Sequence, residues 1–279
     1  MYPIHLFTIS ILSVLVCTSA TIAYADSRGN PLPTWEIGLA LGAASLPQYM
    51  GSDERYNLVA PLPYFIYRGD RIRVDRGGLR AALFDIDQLS LDLSLGGGLP
   101  VRNSNRARAG MPGLKLNLQA GPRLNWKVYH HGESTLNLRL PVRGVLDTSG
   151  SFLGWLSEPD IQLHYRATPA LKLEFTAGLL FASKKYHATF YDVAPAFVTP
   201  ARPAYQSGAG LHSASITARV RYQYSDNITL FSALRYRNLT PGTISRSPLV
   251  KSHHYLSMTV GMAWSIFQSE TVSRITNNR

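Results

Sequence analysis

The chain has 279 residues, with 28 Lys or Arg against 17 Asp or Glu, a formal charge of +11 and a single cysteine. One thiol excludes internal disulfides and thiolate metal clusters. A basic balance of this size suits either nucleic acid or an anionic surface. The first segment decides between them. An apolar run from Leu6 to Val16, followed by small residues and Ala23-Tyr24-Ala25 before Asp26, reads as a secretory signal cut after Ala25. The run is shorter than the about 20 residues a spanning helix needs. Cys17 lies inside the signal, preceded by Val16 rather than by the small residue a lipoprotein requires. An exported chain meets lipid A phosphates, anionic peptidoglycan groups or an anion-lined lumen, and no nucleic acid. The 254 residues left after cleavage (279 − 25) suffice for one large β-domain and keep the whole charge of +11. No later stretch is apolar over a helical span, so a helical membrane protein is excluded.

Residues 26–33 form a short polar lead-in. From Trp35 the chain alternates: Trp35, Ile37, Leu39 and Leu41 share one face against Glu36, Gly38, Ala40 and Gly42. Successive strand residues point to opposite faces. The loop 47–57 leads to a strand near Leu58–Tyr67 and a tight turn at Arg68-Gly69-Asp70. Arg71–Arg76 and Leu79–Phe84 flank Gly77-Gly78 as a short hairpin. Leu89, Leu91, Leu93 and Leu95 then oppose Ser90, Asp92 and Ser94, and a loop 101–112 follows.

The stretch Gly113–Tyr129 shows the pattern most fully. Leu114, Leu116, Leu118, Leu124, Trp126 and Val128 lie on one face. Lys115, Asn117, Gln119, Arg123, Asn125 and Lys127 lie on the other. It exceeds the usual 5–6 residues of a soluble strand and reaches the 9–11 that a tilted strand needs to cross a bilayer. Similar strands follow at 136–143, 161–166, 171–176, 216–224, 228–237 and 256–266. Between them, long loops near 148–152, 186–207 and 239–251 alternate with short turns near 130–134, 168–170 and 225–227. Helical periodicity is absent throughout.

Short turns on one side and longer loops on the other are the signature of an outer-membrane barrel. The expected fold is therefore an all-β antiparallel transmembrane barrel of about 12 strands, or 10 if the 71–84 hairpin crosses once or acts as a plug. It occupies 26–267, between the signal 1–25 and a polar tail 268–279. Tyr64, Tyr67, Trp126, Tyr129, Tyr222, Tyr224, Tyr236 and Trp264 fall near strand ends, as in an interfacial aromatic girdle. Thr259-x-Gly261-x-x-Trp264-x-Ile266 has the spacing of a barrel-assembly signal. The competing fold, a soluble sandwich or lipocalin-like barrel, would turn the leucine face inward.

In the membrane reading the inner face is basic. It holds Lys115, Arg123, Lys127, Arg139, Arg143, Arg166, Lys172, Arg219, Arg221, Arg235 and Arg237, against Glu36, Asp92 and Glu174. Two readings stand: a hydrogen-bonded polar filling that closes a narrow barrel, or an anion-selective path. Lipid-modifying chemistry would use a Ser–His pair. The candidates are His130, His131, His212 with Ser213, His253 and His254, none in a nucleophile motif. Neither metal-ligand spacing nor a cofactor motif occurs.

Two segments carry a family resemblance. Tyr49-Met50-Gly51-Ser52-Asp53, followed by Ala60-Pro61-Leu62-Pro63-Tyr64, resembles the opening of the MipA/OmpV family of MltA-interacting proteins. Leu234-Arg235-Tyr236-Arg237-Asn238-Leu239, followed by Ser247-Pro248-Leu249-Val250, resembles that family's late segment. The resemblance implies an outer-membrane barrel of a Gram-negative cell, in contact with lipid and lipopolysaccharide. It also implies a non-catalytic scaffold that links a lytic transglycosylase to a bifunctional penicillin-binding protein in peptidoglycan growth. A small anion or solute pore and a lipid-modifying enzyme are the alternatives. Structural roles are expected for Tyr49, Gly51, Ser52 and Asp53, with Gly51 allowing an unusual backbone conformation. Ser247 and Pro248 are expected to set the path into the last strand.

Overall fold

The computed structural model describes residues 33–68, 72–75, 78–86 and 88–270, with side chains described outside 69–87. The signal 1–25 and the last residues of the tail, 271–279, lie outside the described residues. Among the described residues thirteen strands run antiparallel: β1 Trp35–Pro47, β2 Arg55–Arg68, β3 Ile72–Asp75, β4 Gly78–Ile86, β5 Leu89–Gly98, β6 Asn117–His131 and β7 Ser134–Asp147. They continue as β8 Phe152–Ser157, β9 Asp160–Arg166, β10 Leu171–Ala182, β11 Gly210–Gln223, β12 Ile228–Asn238 and β13 His254–Gln268. β1 pairs with β13, and β10 pairs with β11, so the sheet closes on itself. β8 and β9 both lie between β7 and β10, one above the other, and share one place in the wall. The wall therefore has twelve places, 13 strands less one.

The break between β8 and β9 falls at Glu158-Pro159. Proline has no amide proton for a ladder, so the strand stops there and restarts.

The faces sort as membrane requires. Leu41, Leu118, Leu140, Ile161, Phe175, Ile216 and Met258 point outward and are exposed, Ile216 at 61%. Glu36, Asp92, Arg123, Arg139, Arg143, Gln162, Thr217 and Arg237 point inward and are buried. A soluble barrel would reverse this, since exposed leucines in water forfeit about 25 cal/mol per Å² of apolar surface. At the lower end of the wall Trp35 pairs with Tyr67, Leu89 with Trp126, and Ile228 with Trp264, so outward aromatics gather at one rim. Tyr64 does not join them. It faces inward, and its hydroxyl donates to Glu36 Oε1 at 2.7 Å.

Two lysines expected in the lumen lie elsewhere. β6 begins at Asn117, so Lys115 sits in the preceding loop and is exposed. The β6–β7 register shifts between Lys127 and Tyr129, and residues 126–131 are all exposed. Lys127, still opposite Asn137, lies at the exposed end of β6 rather than in the bore, and the bulge turns Tyr129 outward, opposite Leu136. One helix was also unforeseen. α1, Lys184–Tyr191, lies in the loop expected to be irregular. Ser183 caps it by accepting from the Tyr186 amide. Two turns are too few to print a helical period on the sequence.

Candidate functional site

The long loops after β1, β5, β10 and β12 meet at one end of the barrel and form a lid. Its core contains Tyr49, Val101, Tyr186, Phe190, Tyr191, Leu239, Ile244 and Val250. α1 supplies the centre: Tyr186 and Phe190, one turn apart, stack at 4.8 Å between ring centroids. Buried arginines stitch the loops together. Arg108 donates to Phe190 O at 2.8 Å, and Arg202 donates to Ala107 O and Ala109 O at 3.1 and 2.9 Å. Burial holds the Arg108 guanidinium below the usual arginine range and raises the Tyr49 and Tyr191 phenols above theirs.

The two family segments, about 200 residues apart in sequence, meet inside this lid. The Tyr49 hydroxyl donates to Leu249 O at 2.6 Å. The Lys251 and Ser252 amides both donate to Gly51 O, at 2.8 and 3.0 Å. Ser247 Oγ donates to Tyr191 O at 2.7 Å. Gly51 has φ +95°, and a Cβ there would lie 3.1 Å from Leu239 and 3.2 Å from Val250. Ser52 accepts from the Glu54 amide and from Asn105, at 3.1 and 3.3 Å. Asp53 stays at the surface, 3.9 Å from Arg106.

Beneath the lid, a chain of polar groups runs into the barrel. β11 pairs Ser213 with Leu180 and Leu211 with Phe181, which leaves His212 as an extra residue in the strand. That bulge turns both His212 and Ser213 inward, and neither has exposed surface. Ser213 Oγ receives Arg237 Nη1 at 2.7 Å and lies 2.8 Å from His212 Nδ1. His212 Nε2 lies 2.9 Å from the Tyr191 hydroxyl, which in turn lies 2.8 Å from Met50 O. Arginine can only donate and a carbonyl can only accept. The direction is thereby assigned from the network: Arg237 to Ser213, Ser213 to His212 Nδ1, His212 Nε2–H to Tyr191, Tyr191 to Met50 O. Ser213 spends its proton on His212 and its lone pair on Arg237, so it is held as a structural link.

Lower down, ion pairs fill the lumen. Arg237 Nη2 donates to Glu158 at 2.6 Å, and Arg143 lies 3.9 Å from the same carboxylate. Arg139 makes a two-pronged contact with Asp160 at 2.7 and 2.9 Å, and Arg123 another with Asp92 at 2.9 and 2.7 Å. Glu174 pairs with Arg219, and His164 lies 3.7 Å away on its other oxygen. Arg235 donates to Thr217 at 3.0 Å, and Arg68 to Glu36 at 2.8 Å. Arg221 lies on the same inward stripe of β11. A cavity of about 30 Å³ remains among Ser94, Arg123, Arg139, Arg143, Asp160 and Arg219. That is room for a few ordered waters.

Two of these acids, Glu158 and Asp160, escaped the sequence reading. They flank Pro159 and continue the inward alternation of Leu156, Gln162 and His164 across the strand break. The available signal was the alternation of 161–166 itself, which places Asp160 and Glu158 on the inward parity when it is carried back past Pro159. His130, His131, His253 and His254 lie at the rims and are exposed. Among the described residues no group of His, Cys, Asp or Glu is placed to hold a metal ion.

Comparison with known proteins gives a family. The family model described as "MltA-interacting protein MipA" matches residues 39–266. No curated protein sequence matches the chain. Among solved structures, an outer membrane channel from Pseudomonas putida F1 aligns at 8% identity and TM-score 0.45, over 88% of this chain and 100% of its own. The CymD monoaromatic hydrocarbon channel aligns at 12% identity and TM-score 0.41, over 90% and 95%. The NanC porin aligns at 10% identity and TM-score 0.38, over 82% and 100%. At this level of similarity none of them bears on what this chain does. The closed wall, its apolar exterior and the family match agree: the chain is an outer-membrane β-barrel belonging to the MipA family.

Proposed function

We propose that this protein is a non-conducting, non-catalytic anchor in the outer membrane that docks a peptidoglycan-processing enzyme at its periplasmic rim. The observation that carries the reading is the sealed axis. Ion pairs cross the bore from several strands, Arg123 with Asp92, Arg139 with Asp160, Arg219 with Glu174 and Arg237 with Glu158, and the loop lid covers one end. A barrel stoppered in this way offers a partner its rim. The buried, doubly engaged Ser213 argues in the same direction, against a hydrolase.

The rim has a surface suited to docking. β6 continues past the start of β5, whose first residue Leu89 pairs with Trp126. Tyr129–His131 therefore pair with β7 and, among the described residues, with no strand on their other side, and Tyr129 is 52% exposed. A projecting strand end with an apolar ring, two histidines and free backbone groups can take a partner segment by edge pairing. The family description points to a partner of the MltA kind, and the resemblance extends this to a lytic transglycosylase and a penicillin-binding protein.

Cross-linking in intact envelopes, followed by detergent extraction and pull-down, should recover a murein hydrolase or synthase. Tyr129→Ala with His131→Ala should reduce that recovery several-fold while the barrel still resists SDS without heating. Recovery of neither enzyme class overturns the docking reading. Conductance steps in a planar bilayer overturn the non-conducting reading.

A further inference from the structure

The ion pairs of the bore leave a remainder. Among the described residues Asp92 is taken by Arg123, Asp160 by Arg139, Glu174 by Arg219 and Glu158 by Arg237, each within hydrogen-bond reach. Arg143 and Arg235 are left over. Arg143 comes only within 3.9 Å of Glu158, whose carboxylate Arg237 already holds at 2.6 Å. Arg235 donates from Nε to the Thr217 hydroxyl at 3.0 Å, and none of the described acids pairs with it. A guanidinium cannot shed its proton, and a buried charge without a counter-charge is costly.

Both left-over arginines line one small cavity. Arg123 of β6, Arg139 and Arg143 of β7, Arg219 of β11 and Arg235 of β12 border a space of about 30 Å³, with Glu158 and Asp160 the two acids on its wall. The Nε atoms of Arg143 and Arg219 are buried without a hydrogen-bond partner, and the Arg143 side chain is only 9% exposed. Ser94 and Ser215, both buried, add hydroxyl donors to the same wall. Gly96 of β5 makes room for this arrangement. Arg143 Nη1 lies 2.6 Å from where a Cβ would stand there, so a larger residue would push the guanidinium aside.

The cavity lies midway along the strands, below the lid. Toward the turn end the same inward face carries more positive charge. Lys172 of β10 pairs across to Arg166 on β9 and to Arg221 on β11. The next inward row holds Glu174 with Arg219, and Arg219 borders the cavity. A basic row thus stands between the periplasmic mouth and the cavity, while the lid closes the other end.

We propose that this cavity binds one small, doubly charged oxyanion of the class of inorganic phosphate, taken up from the periplasmic side and held by Arg143 and Arg235. Two unmatched guanidinium charges balance a dianion, and a halide would leave one of them over. A space that holds a few ordered waters takes the oxygens of such an ion and no larger body. Guanidinium forks are the donors that suit phosphate-like oxygens. The site is independent of docking at the rim, so either reading can fail alone.

The test uses the full chain in a maltoside detergent and phosphate-free buffer, titrated calorimetrically with inorganic phosphate. One ion should bind per chain with Kd below about 1 mM. Arg143→Gln and Arg235→Gln should each weaken binding by about ten-fold or more, and Lys127→Gln at the exposed rim should leave it unchanged. Phosphate should also raise the urea midpoint of the unaltered chain. It should not raise that of Arg143→Gln with Arg235→Gln, which lacks both unmatched charges and should be no less stable than the unaltered chain when phosphate is absent. An equal rise in both, or no binding to the unaltered chain, overturns the site and leaves only water in the cavity. Glycerol 3-phosphate separates a free ion from the head of a larger molecule, and it should bind about ten-fold more weakly than inorganic phosphate. Equal or tighter binding overturns the assignment to a free ion. Resistance of each variant to SDS without heating checks folding.

Discussion

Glu158 joins two arginines, and removing its charge is the sharpest test of the filled lumen. Arg237 donates to it at 2.6 Å and Arg143 stands at 3.9 Å, with side-chain exposures of 3% and 9% for the arginines and 19% for the carboxylate. Glu158→Gln keeps the volume and leaves both guanidinium groups without an anion. Breaking one partner of a buried pair costs about 3–5 kcal/mol, chiefly because the remaining charge stays buried. Arg237 keeps its bond to Ser213, so the lower half of that range is expected. Urea unfolding from lipid vesicles, followed by tryptophan emission and by mobility without heating, reads it directly. Glu158→Leu with Arg237→Met should recover most of the loss, since a well-packed apolar replacement of a buried pair is often neutral. A loss below about 0.5 kcal/mol for Glu158→Gln would mean that water reaches these groups, and the lumen would then not be a packed filling.

Three further outcomes follow from the lid. Gly51→Ala places a methyl group 3.1 Å from Leu239 at φ +95°, so the lid should loosen by about 1–2 kcal/mol, read as roughly ten-fold faster protease cleavage in the outer loops. Tyr191→Phe strands His212 Nε2–H and Met50 O, which lie 2.9 and 2.8 Å from its hydroxyl. Hydrogen exchange at Met50 and through α1 should accelerate, with a cost of about 1–3 kcal/mol. His187 donates from Nδ1 to Gly208 O at 2.6 Å while its Nε2 is buried without a partner, and burial holds its pKa below the ordinary value. The opened lid then binds more protons than the closed one at pH below about 6.5, so lid stability falls as pH drops through that window. Hydrogen exchange in 183–209 at pH 7.5 and pH 5 should show this, and His187→Asn should abolish the difference.

The wall was legible because its signal is local. Alternation along Asn117–Tyr129 or Ile216–Tyr224 states which side chains share a face, and strand length with loop asymmetry states that the outer face meets lipid. The reading failed where local order is broken by one residue. The bulge after Lys127 turns Tyr129 outward and the extra His212 in β11 turns both His212 and Ser213 inward, and neither alters composition. The lid was legible only in its parts. Tyr49–Asp53 and Ser247–Val250 stood out as segments, but their meeting over Tyr191 depends on barrel closure, which brings β1 beside β13 and β10 beside β11. No periodicity encodes that contact.

The charge of +11 was the strongest compositional signal, and its location was the least legible. The inward ion-pair set contains seven arginines (68, 123, 139, 143, 219, 235, 237) and five acids (36, 92, 158, 160, 174), a difference of +2. The remaining +9 of the chain, 11 less 2, therefore lies outside this set. A bore whose arginines are mostly matched has a weak axial field and no reason to select anions along its length. The two arginines of the set without an acid of their own, Arg143 and Arg235, line the same small cavity inside the bore. Salt should separate charge at the rim from charge in the bore: exposed rim charges are screened within a Debye length of about 10 Å at 0.1 M, whereas an anion held at buried Arg143 should keep its affinity as ionic strength rises.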